Sequence, residues 1–262
     1  MPKYLTSPHN PDIKLIVALQ SKSRERRKQG LFCVEGVREI QIALQSGYTL
    51  KKVYIQPDIF TFGAIEFPNV EVVELSDELY QKIAYRGSTE GIIALFKTKT
   101  HALSDLKLRE NPLILVAEAP EKPGNIGALL RTADAAGLDA VIIANPLTDL
   151  YNPNIIRSSV GCVFSNNIAV GTTIEIIEFL KQQNIQILTA ALKDNAISYL
   201  DQQYAGSTAI VVGTEATGLS QDWLDRADQS IIIPMRGKID SMNVSVASAV
   251  LVFEALRQRN TP

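Results

Sequence analysis

The spacing of apolar residues in the first hundred positions predicts a small unit of strands and helices. A helix is expected to open at Asn10-Pro11, because apolar residues then recur at helical intervals and proline is tolerated in a first turn. Short apolar runs bounded by polar turns predict strands at Leu31–Val34, Lys52–Ile55, Val70–Val73 and Ile92–Phe96. Further helices are expected from Gly36 to Gln45 and from Ser76 onward. Residues 1–97 are therefore expected to form an α/β domain.

A second series of strands and helices begins at Pro112. Its expected strands are Leu113–Val116, Ala140–Ile143, Ile185–Ala190, Ala209–Val212 and Ser230–Ile233. Strands that alternate with helices indicate a mostly parallel sheet covered on both faces. Between the two series, residues 98–111 are polar and charged, which favours a linker. The expected second domain is 112–262.

Composition narrows the class of protein. The chain has 262 residues, of which 46% are apolar and 21% charged, as in soluble globular proteins. No apolar run approaches the ~20 residues that cross a bilayer, and the N-terminus lacks the apolar core of a signal peptide. Cys33 and Cys162 are expected to be free thiols, which fits a cytoplasmic protein. Only two histidines and no zinc-like cysteine pair are present, so no metal site is expected.

Positive charge is concentrated in one short segment, although the net charge is −2. The cluster consists of Lys22, Arg24, Arg26, Arg27 and Lys28. Cations at a helix end are favoured by the helix dipole, so the cluster could be only a solvated surface. In a protein that binds RNA, the same cluster would contact phosphates.

Three polar turns in the second series each follow or open a predicted element. Residues 123–133 form a turn that opens a helix, and residues 211–220 are a strand that runs into a glycine-containing turn with one acid. Residues 231–243 are a strand stopped by a proline and followed by a polar loop, which leads into an amphipathic C-terminal helix. A polar loop between buried elements needs partners for its backbone groups, and a ligand or second subunit could provide them.

Together and in this order, the three segments resemble the motifs of the SpoU (TrmH) family of RNA ribose 2′-O-methyltransferases. That family belongs to the trefoil-knotted methyltransferases, which use S-adenosylmethionine. The resemblance covers residues 112–259, and the segment 32–36 with the basic helix before it is similar to the substrate-binding domain often attached to these enzymes. It implies an α/β protein in which a small substrate-binding domain precedes a parallel-sheet domain with a deep trefoil knot.

The resemblance also assigns roles to individual residues. The catalytic set that it implies is Asn125, Arg131, Glu215, Ser241 and Asn243. The donor-binding set that it implies is Ala190, Ala191, Leu192, Gly213, Ile233 and Met242. Arg157 matches a segment between the motifs and is a candidate RNA contact. Taken without the resemblance, Asn125, Ser241 and Asn243 could be helix caps, and Glu215 could be a solvated acid.

Arg131 lies off the apolar stripe of its helix, so packing does not explain it. By itself it could be a surface cation, but it matches the arginine that the family uses in catalysis. Arginine is a poor base, because its guanidinium keeps its proton at any physiological pH. Its rigid donor fork is better suited to holding a phosphate and orienting the ribose hydroxyl.

Two positions depart from the common family pattern: Ala216 stands where glycine is frequent, and Met242 replaces leucine.

The expected function is methyl transfer from S-adenosylmethionine to a ribose 2′-hydroxyl, with ribosomal RNA as the favoured substrate. The alternatives are the same reaction on transfer RNA and a catalytically silent RNA-binding protein with the knotted fold. A dehydrogenase is disfavoured, because the chain lacks the Gly-x-Gly-x-x-Gly turn of dinucleotide-binding proteins. The C-terminal helix carries apolar residues on more than one face, which predicts a homodimer with this helix in the interface.

Overall fold

The computed structural model describes residues 3–260, except for 62, 64, 66, 68, 86–89 and 215–216. The chain divides into two compact units. The first contains Met1–Thr100 and Asp149–Ser165, and the second contains His101–Thr148 and Asn166–Pro262. The segment 149–165, which the sequence assigned to the second domain, thus packs with the first unit.

The first unit contains a mixed five-stranded sheet. Its strands are β1 (Lys3–Leu5), β2 (Leu31–Glu35), β3 (Leu50–Ile55), β4 (Glu71–Leu75) and β5 (Ile92–Lys97), in the spatial order β1-β4-β3-β5-β2. Strand β4 is parallel to both of its neighbours, whereas β5 is antiparallel to β2 and β3. Its helices are α1 (Pro11–Ser21), α2 (Ser23–Gln29), α3 (Val37–Gln45) and α4 (Asp77–Ile83). One core lies between α1, α4 and the sheet and includes the buried Ile16, Leu19 and Leu79.

The second unit is built around a seven-stranded sheet in which every neighbouring pair is parallel. Its first elements are β6 (Leu113–Glu118), α5 (Pro123–Ala136) and β7 (Ala140–Ala144). The chain then forms α6 (Pro153–Ser158) and α7 (Cys162–Ser165), which belong to the first unit. It returns with β8 (Ile168–Gly171), α8 (Thr173–Gln182), β9 (Gln186–Ala190), β10 (Ile197–Ser198), β11 (Thr208–Val212), α9 (Gln221–Arg226), β12 (Gln229–Ile232) and α10 (Val244–Asn260).

The strand order in this sheet is β10-β12-β9-β11-β6-β7-β8. Every residue of β6, β7 and β11 is buried, as expected for parallel strands that are covered on both faces. The α/β class and the parallel C-terminal sheet predicted from the sequence are confirmed. The trefoil knot stays a prediction.

All nine predicted strands are present, with each end displaced by at most two residues. Within the described residues, the additional strands β1, β8 and β10 were not predicted. They have only three, four and two residues, so they are too short to show the alternation or the apolar run on which the prediction depends. None of the helices in the described part of the chain is long and apolar enough to cross a membrane.

Arg26 has a structural role in the first unit, which corrects its assignment as an RNA contact. The side chain is buried, with 3% of its surface exposed. Its guanidinium donates to both carboxylate oxygens of Asp149, at 2.9 and 2.5 Å, and to the carbonyl of Leu19 at 2.5 Å. With these donors engaged inside the unit, Arg26 ties the segment 149–165 to α1 and α2 instead of facing a phosphate.

The same segment is anchored by aromatic packing. Tyr151 stacks on Phe32 with their ring centroids 4.2 Å apart, and Phe164 stacks on the same ring at 5.7 Å. The Tyr151 hydroxyl also accepts a hydrogen bond of 2.9 Å from the backbone of Lys99. Buried aromatic contacts of this kind explain why residues distant in sequence join the first unit.

Candidate active site

Three neighbouring strands of the second unit end beside one pocket. Strands β12, β9 and β11 are adjacent and parallel, so their carboxyl ends lie at the same edge of the sheet, where ligands bind in open α/β folds. The pocket has a volume of about 420 Å³. All six residues of the predicted donor-binding set line it: Ala190, Ala191, Leu192, Gly213, Ile233 and Met242. Their role as donor contacts is still a prediction, but the fold brings them to one place.

The sequence patterns did not identify several other residues that line this pocket. Thr214, Thr217 and Asp240 supply polar side chains, and apolar residues of α10, such as Ala247 and Leu251, form part of the wall. Apolar positions on a helix look the same in sequence whether they pack into a core or line a cavity. Thr217 and Asp240 were within predicted motif loops, but loop position alone did not distinguish them from solvated residues.

Gly213 is required by the turn itself. A Cβ atom added there would lie 2.3 Å from the carbonyl carbon and oxygen of Gly218 and 2.7 Å from the Leu219 nitrogen. Thr214 and Gly218 exchange backbone hydrogen bonds of 3.1 Å, which close the turn against the end of β11. At Gly213 the protein's own backbone approaches this closely, and the turn shapes one wall of the pocket.

Asn243 connects the third motif to the first. Its Oδ1 accepts from the backbone N–H of Ser245 at 3.1 Å and from the Ser245 hydroxyl at 2.5 Å, so it caps the start of α10. Its Nδ2 donates to Oδ1 of Asn125 across 3.1 Å. Asn125 itself lies in the first turn of α5, which begins at Pro123, and is therefore not the N-cap of that helix. The helix-cap explanation thus holds for Asn243 and fails for Asn125.

Arg131 is exposed on α5, as predicted from its position off the apolar stripe. Its side chain forms no hydrogen bond or ion pair with any residue that the structure describes. It is also absent from the described residues that line the pocket, whereas Ser241 and Met242 line it. Within one chain, the structure therefore brings Asn125, Asn243 and the pocket-lining loop together and leaves Arg131 facing outward.

Comparison with known protein families identifies the family to which a chain with this pocket and these motifs belongs. Residues 112–253 match the model of the SpoU rRNA methylase family, which is more than half of the chain. The chain belongs to the SpoU rRNA methylase family. Residues 10–94 match the MRM3-like substrate-binding domain. The family predicted from the three motifs is thus confirmed, and so is the kind of N-terminal domain.

Similar proteins extend the comparison to whole chains. A 23S rRNA guanosine 2′-O-methyltransferase of Bacillus subtilis (strain 168) is 28% identical over 96% of this chain and 98% of its own. The crystal structure of an RNA 2′-O ribose methyltransferase is 37% identical, with a TM-score of 0.85, covering 98% of this chain and 100% of the other. The structure of an rRNA methyltransferase from Sinorhizobium meliloti with bound AdoMet, which is S-adenosylmethionine, has a TM-score of 0.89 at 26% identity and covers 99% of both chains. The enzyme class and the methyl donor expected for this family are confirmed.

Two residues of the segment 211–220 belong to the part of the chain that the structure does not describe. Glu215 and Ala216 lie outside the described residues, so the predicted catalytic role of Glu215 stays a prediction. The turn that flanks them is described on both sides. Thr214 and Thr217 are joined by a hydrogen bond of 2.8 Å between their hydroxyls, and Thr217 N–H donates to the Thr214 hydroxyl at 3.0 Å.

Glu118 is a buried acid of the SpoU domain that the sequence interpretation missed. It ends β6 and is 5% exposed. Its carboxylate accepts from the Thr173 hydroxyl and from both the backbone N–H and the hydroxyl of Ser220, each at 2.7 Å. Glu118 therefore holds Ser220, the last residue of the segment 211–220, against the end of β6. A charged residue at the end of an otherwise apolar strand was the available signal.

The basic residues expected to contact RNA divide into two groups in the first unit. Lys22, Arg24, Arg27 and Lys28 are exposed on or beside α2, in contrast to Arg26. Lys22 also lines a groove of about 330 Å³ together with His9, Lys14 and Lys82, and no acidic residue is among the described residues that line it. The groove is therefore lined by cationic side chains together with apolar ones such as Ile13 and Val17.

Arg157 lies in a different electrostatic setting. It is exposed and lines a pocket of the first unit with Glu35, Glu39 and Glu90. Burial, together with the nearby Glu90, raises the pKa of Glu39 above its ordinary value. Three acids around one arginine make this pocket a poor site for an isolated phosphate, because like charges repel it.

Proposed function

We propose that this protein transfers a methyl group from S-adenosylmethionine to a ribose 2′-hydroxyl of ribosomal RNA in the cytoplasm. One pocket carries this proposal. It gathers the whole predicted donor-binding set at the carboxyl edge of the sheet, next to Ser241 of the predicted catalytic set. Asn243, the next catalytic candidate along the chain, is held by its bond to Asn125.

The residues of the pocket fit the proposed donor. Its volume of about 420 Å³ falls within the range usual for small-molecule sites. Apolar walls from Leu192, Ile233 and Met242 suit the faces of an adenine ring, and the hydroxyls of Thr214 and Thr217 provide a few polar contacts. We infer that these residues hold the donor.

When bound, S-adenosylmethionine would supply an electrophilic methyl group to the ribose 2′-oxygen, because its sulfur atom can leave with the electron pair of the carbon–sulfur bond. The protein must orient that hydroxyl and help its proton to leave, because a neutral hydroxyl is a weak nucleophile. Arg131, which is exposed and unpaired among the described residues, is proposed to grip the adjacent phosphate and orient the hydroxyl. Ser241 and Asn243 are proposed to position the reacting groups.

Ribosomal RNA is favoured as the substrate class by the full-length relative from Bacillus subtilis, whose name gives 23S rRNA as its substrate. A tRNA guanosine 2′-O-methyltransferase of Escherichia coli (strain K12) matches over only 59% of this chain. The first unit contains the match to the substrate-binding domain. We propose that its exposed cations Lys22, Arg24, Arg27 and Lys28 contact the RNA backbone, with Arg157 as a weaker candidate.

A homodimer is also proposed. Helix α10 packs on α5 and β11, yet it leaves Val246 and Phe253 exposed by 52% and 50%. These residues are seven positions apart, so they lie on one face of the helix. An apolar face of this kind is stabilised by a second subunit. Since Arg131 is exposed and is not among the described residues that line the pocket of its own chain, pairing is proposed to bring it to the donor bound by the partner.

The deciding experiment incubates the protein and methyl-labelled S-adenosylmethionine with separated ribosomal and transfer RNAs, followed by mapping of the labelled nucleotide. We expect label on the ribose of one ribosomal RNA nucleotide. Label found only on transfer RNA would mean that transfer RNA is the substrate, and the proposed reaction would stand. Donor binding without transfer to either RNA would support the catalytically silent alternative.

A further inference from the structure

The pocket at the sheet edge contains one ionisable side chain among its described lining residues, Asp240. All the other described residues that line it are apolar, glycine, threonine or serine. Asp240 is exposed, and its side chain lies at the wall of the pocket. Among the described lining residues, this carboxylate is therefore the group that can distinguish ligands by their own charge.

The local contacts keep part of this carboxylate available. The Ser241 hydroxyl donates to Oδ1 of Asp240 across 3.2 Å, and Met242 follows in the same loop and lines the same pocket. Two cations of this loop, Arg236 and Lys238, are not among the described lining residues. The charge at the described wall of the pocket is therefore that of the Asp240 carboxylate.

The proposed donor and its product differ by one charge. The α-amino and α-carboxyl groups are the same in S-adenosylmethionine and S-adenosylhomocysteine. The sulfonium of the donor becomes a neutral thioether when the methyl group leaves. Any lining group that interacts mainly with the sulfonium therefore distinguishes the two ligands by charge instead of by shape.

We infer that Asp240 is a specificity-determining residue that makes the pocket prefer the cationic donor to the neutral-sulfur product. The inference rests on the proposed function, because it assumes that this pocket binds the donor. Its consequence for the reaction cycle is release of the product. Once the sulfonium charge is lost, the carboxylate no longer attracts the sulfur atom, and the product leaves more readily.

The test is calorimetric binding of S-adenosylmethionine and S-adenosylhomocysteine to the full chain and to three variants. Asp240→Asn should weaken donor binding about fivefold, the effect of one charge pair at ~4 Å in water-like surroundings, and change product binding less than about twofold. Asp240→Glu keeps the charge and should retain most of the preference. Asp201→Asn removes an equal charge from an exposed position outside the pocket and should change neither affinity.

Equal weakening of both ligands in Asp240→Asn would overturn the inference, because it would indicate a structural role in the loop. Unchanged donor binding would overturn it as well. Both results leave the proposed function intact, since the parent protein would still bind the donor. Failure of the parent protein to bind either ligand would instead reject the proposed function and this inference with it.

Discussion

The side-chain amide of Asn243 donates a hydrogen bond of 3.1 Å to Oδ1 of Asn125, which lies 118 positions earlier in the chain. The bond joins the first turn of α5 to the start of α10. Asn243 uses its other side-chain atom, Oδ1, to cap α10 through Ser245. One residue thereby combines a helix cap, which can be tested by stability, with a cross-motif contact, which can be tested by catalysis.

Replacement of Asn243 by aspartate separates these two roles. The aspartate side chain would keep the oxygen that accepts from Ser245 but could not donate to Asn125. We expect the free energy of unfolding to stay within about 0.5 kcal/mol of the parent protein, because aspartate and asparagine cap helices about equally well. Methyl transfer in a single turnover should fall at least about tenfold. Asn243→Ala should lose both roles and about 1 kcal/mol of stability in urea unfolding. Full activity of the aspartate variant would remove the Asn125 contact from the mechanism.

Arg131→Ala should lower the single-turnover rate by about 100-fold or more while donor affinity changes less than about twofold. The reason is that Arg131 is exposed and outside the donor pocket, so its proposed contact is with RNA. Arg226→Ala, which removes an exposed cation from α9, is the matched control and should leave the rate unchanged. A rate near that of the parent protein at saturating RNA would exclude Arg131 from the catalytic set.

Gly213→Ala should weaken donor binding and destabilise the protein by roughly 1–3 kcal/mol, the usual cost of overpacking. The new methyl group would lie 2.3 Å from the Gly218 carbonyl and would force the turn away from the end of β11. Gly206→Ala is the control, because nothing lies within 4 Å of the added carbon there. Thermal unfolding and donor titration of both variants provide the measurement. Equal stability and equal donor affinity of the two variants would show that the turn accommodates the added methyl group without changing the pocket.

Substitutions at the exposed basic residues 22–28 should change RNA binding, whereas substitution of the buried Arg26 should change stability. Neutralising Lys22, Arg24, Arg27 and Lys28 should lower the log–log salt dependence of RNA binding by roughly 0.7–0.9 for each phosphate that the variant no longer neutralises. Arg26→Gln should leave this slope unchanged but destabilise the protein by about 3–5 kcal/mol, because it leaves the Asp149 carboxylate without its ion pair. A slope unaffected by the four exposed changes would mean that the cluster is only a solvated surface.

The proposed dimer can be tested through its exposed apolar face. Val246→Asp combined with Phe253→Asp should convert a dimer into a monomer in sedimentation experiments, since charge would be buried at the interface. Ile174→Asp, at an exposed apolar position on α8, should leave the oligomeric state unchanged. Mixed dimers of an Arg131→Ala chain and a Gly213→Ala chain should regain some activity. A parent protein that sediments as a fully active monomer at micromolar concentration would exclude both the interface and the shared site.

Much of the fold could be predicted because its signals are local. Apolar runs such as those of β6 and β11 identified central parallel strands, and the helical spacing in α5 identified which face is buried. The same stripe correctly left Arg131 on the exposed face. Short strands such as β1 and β8 gave no pattern that differs from a loop, so they became visible only through their pairing with β4 and β7.

Partners that are distant in sequence could not be predicted in this way. Arg26 looked like one more cation of a basic cluster, and only its pairing with Asp149, 123 positions away, made it a buried structural residue. Likewise, Glu118 acquired its role from Thr173 and Ser220, which the chain brings to it from two other connections.

The sequence by itself determined the order of the motifs, the strands that form the sheet and the apolar faces of its helices, because side-chain periodicity follows from backbone geometry within a few residues. Only the tertiary structure decided which residues meet. It gathered Ala190, Gly213, Ile233 and Met242 around one pocket with Asp240 at its wall, and it left Arg131 outside. The physical reason is that strand order and chain crossings set these long-range distances, and a local pattern of apolar and polar residues contains no record of them.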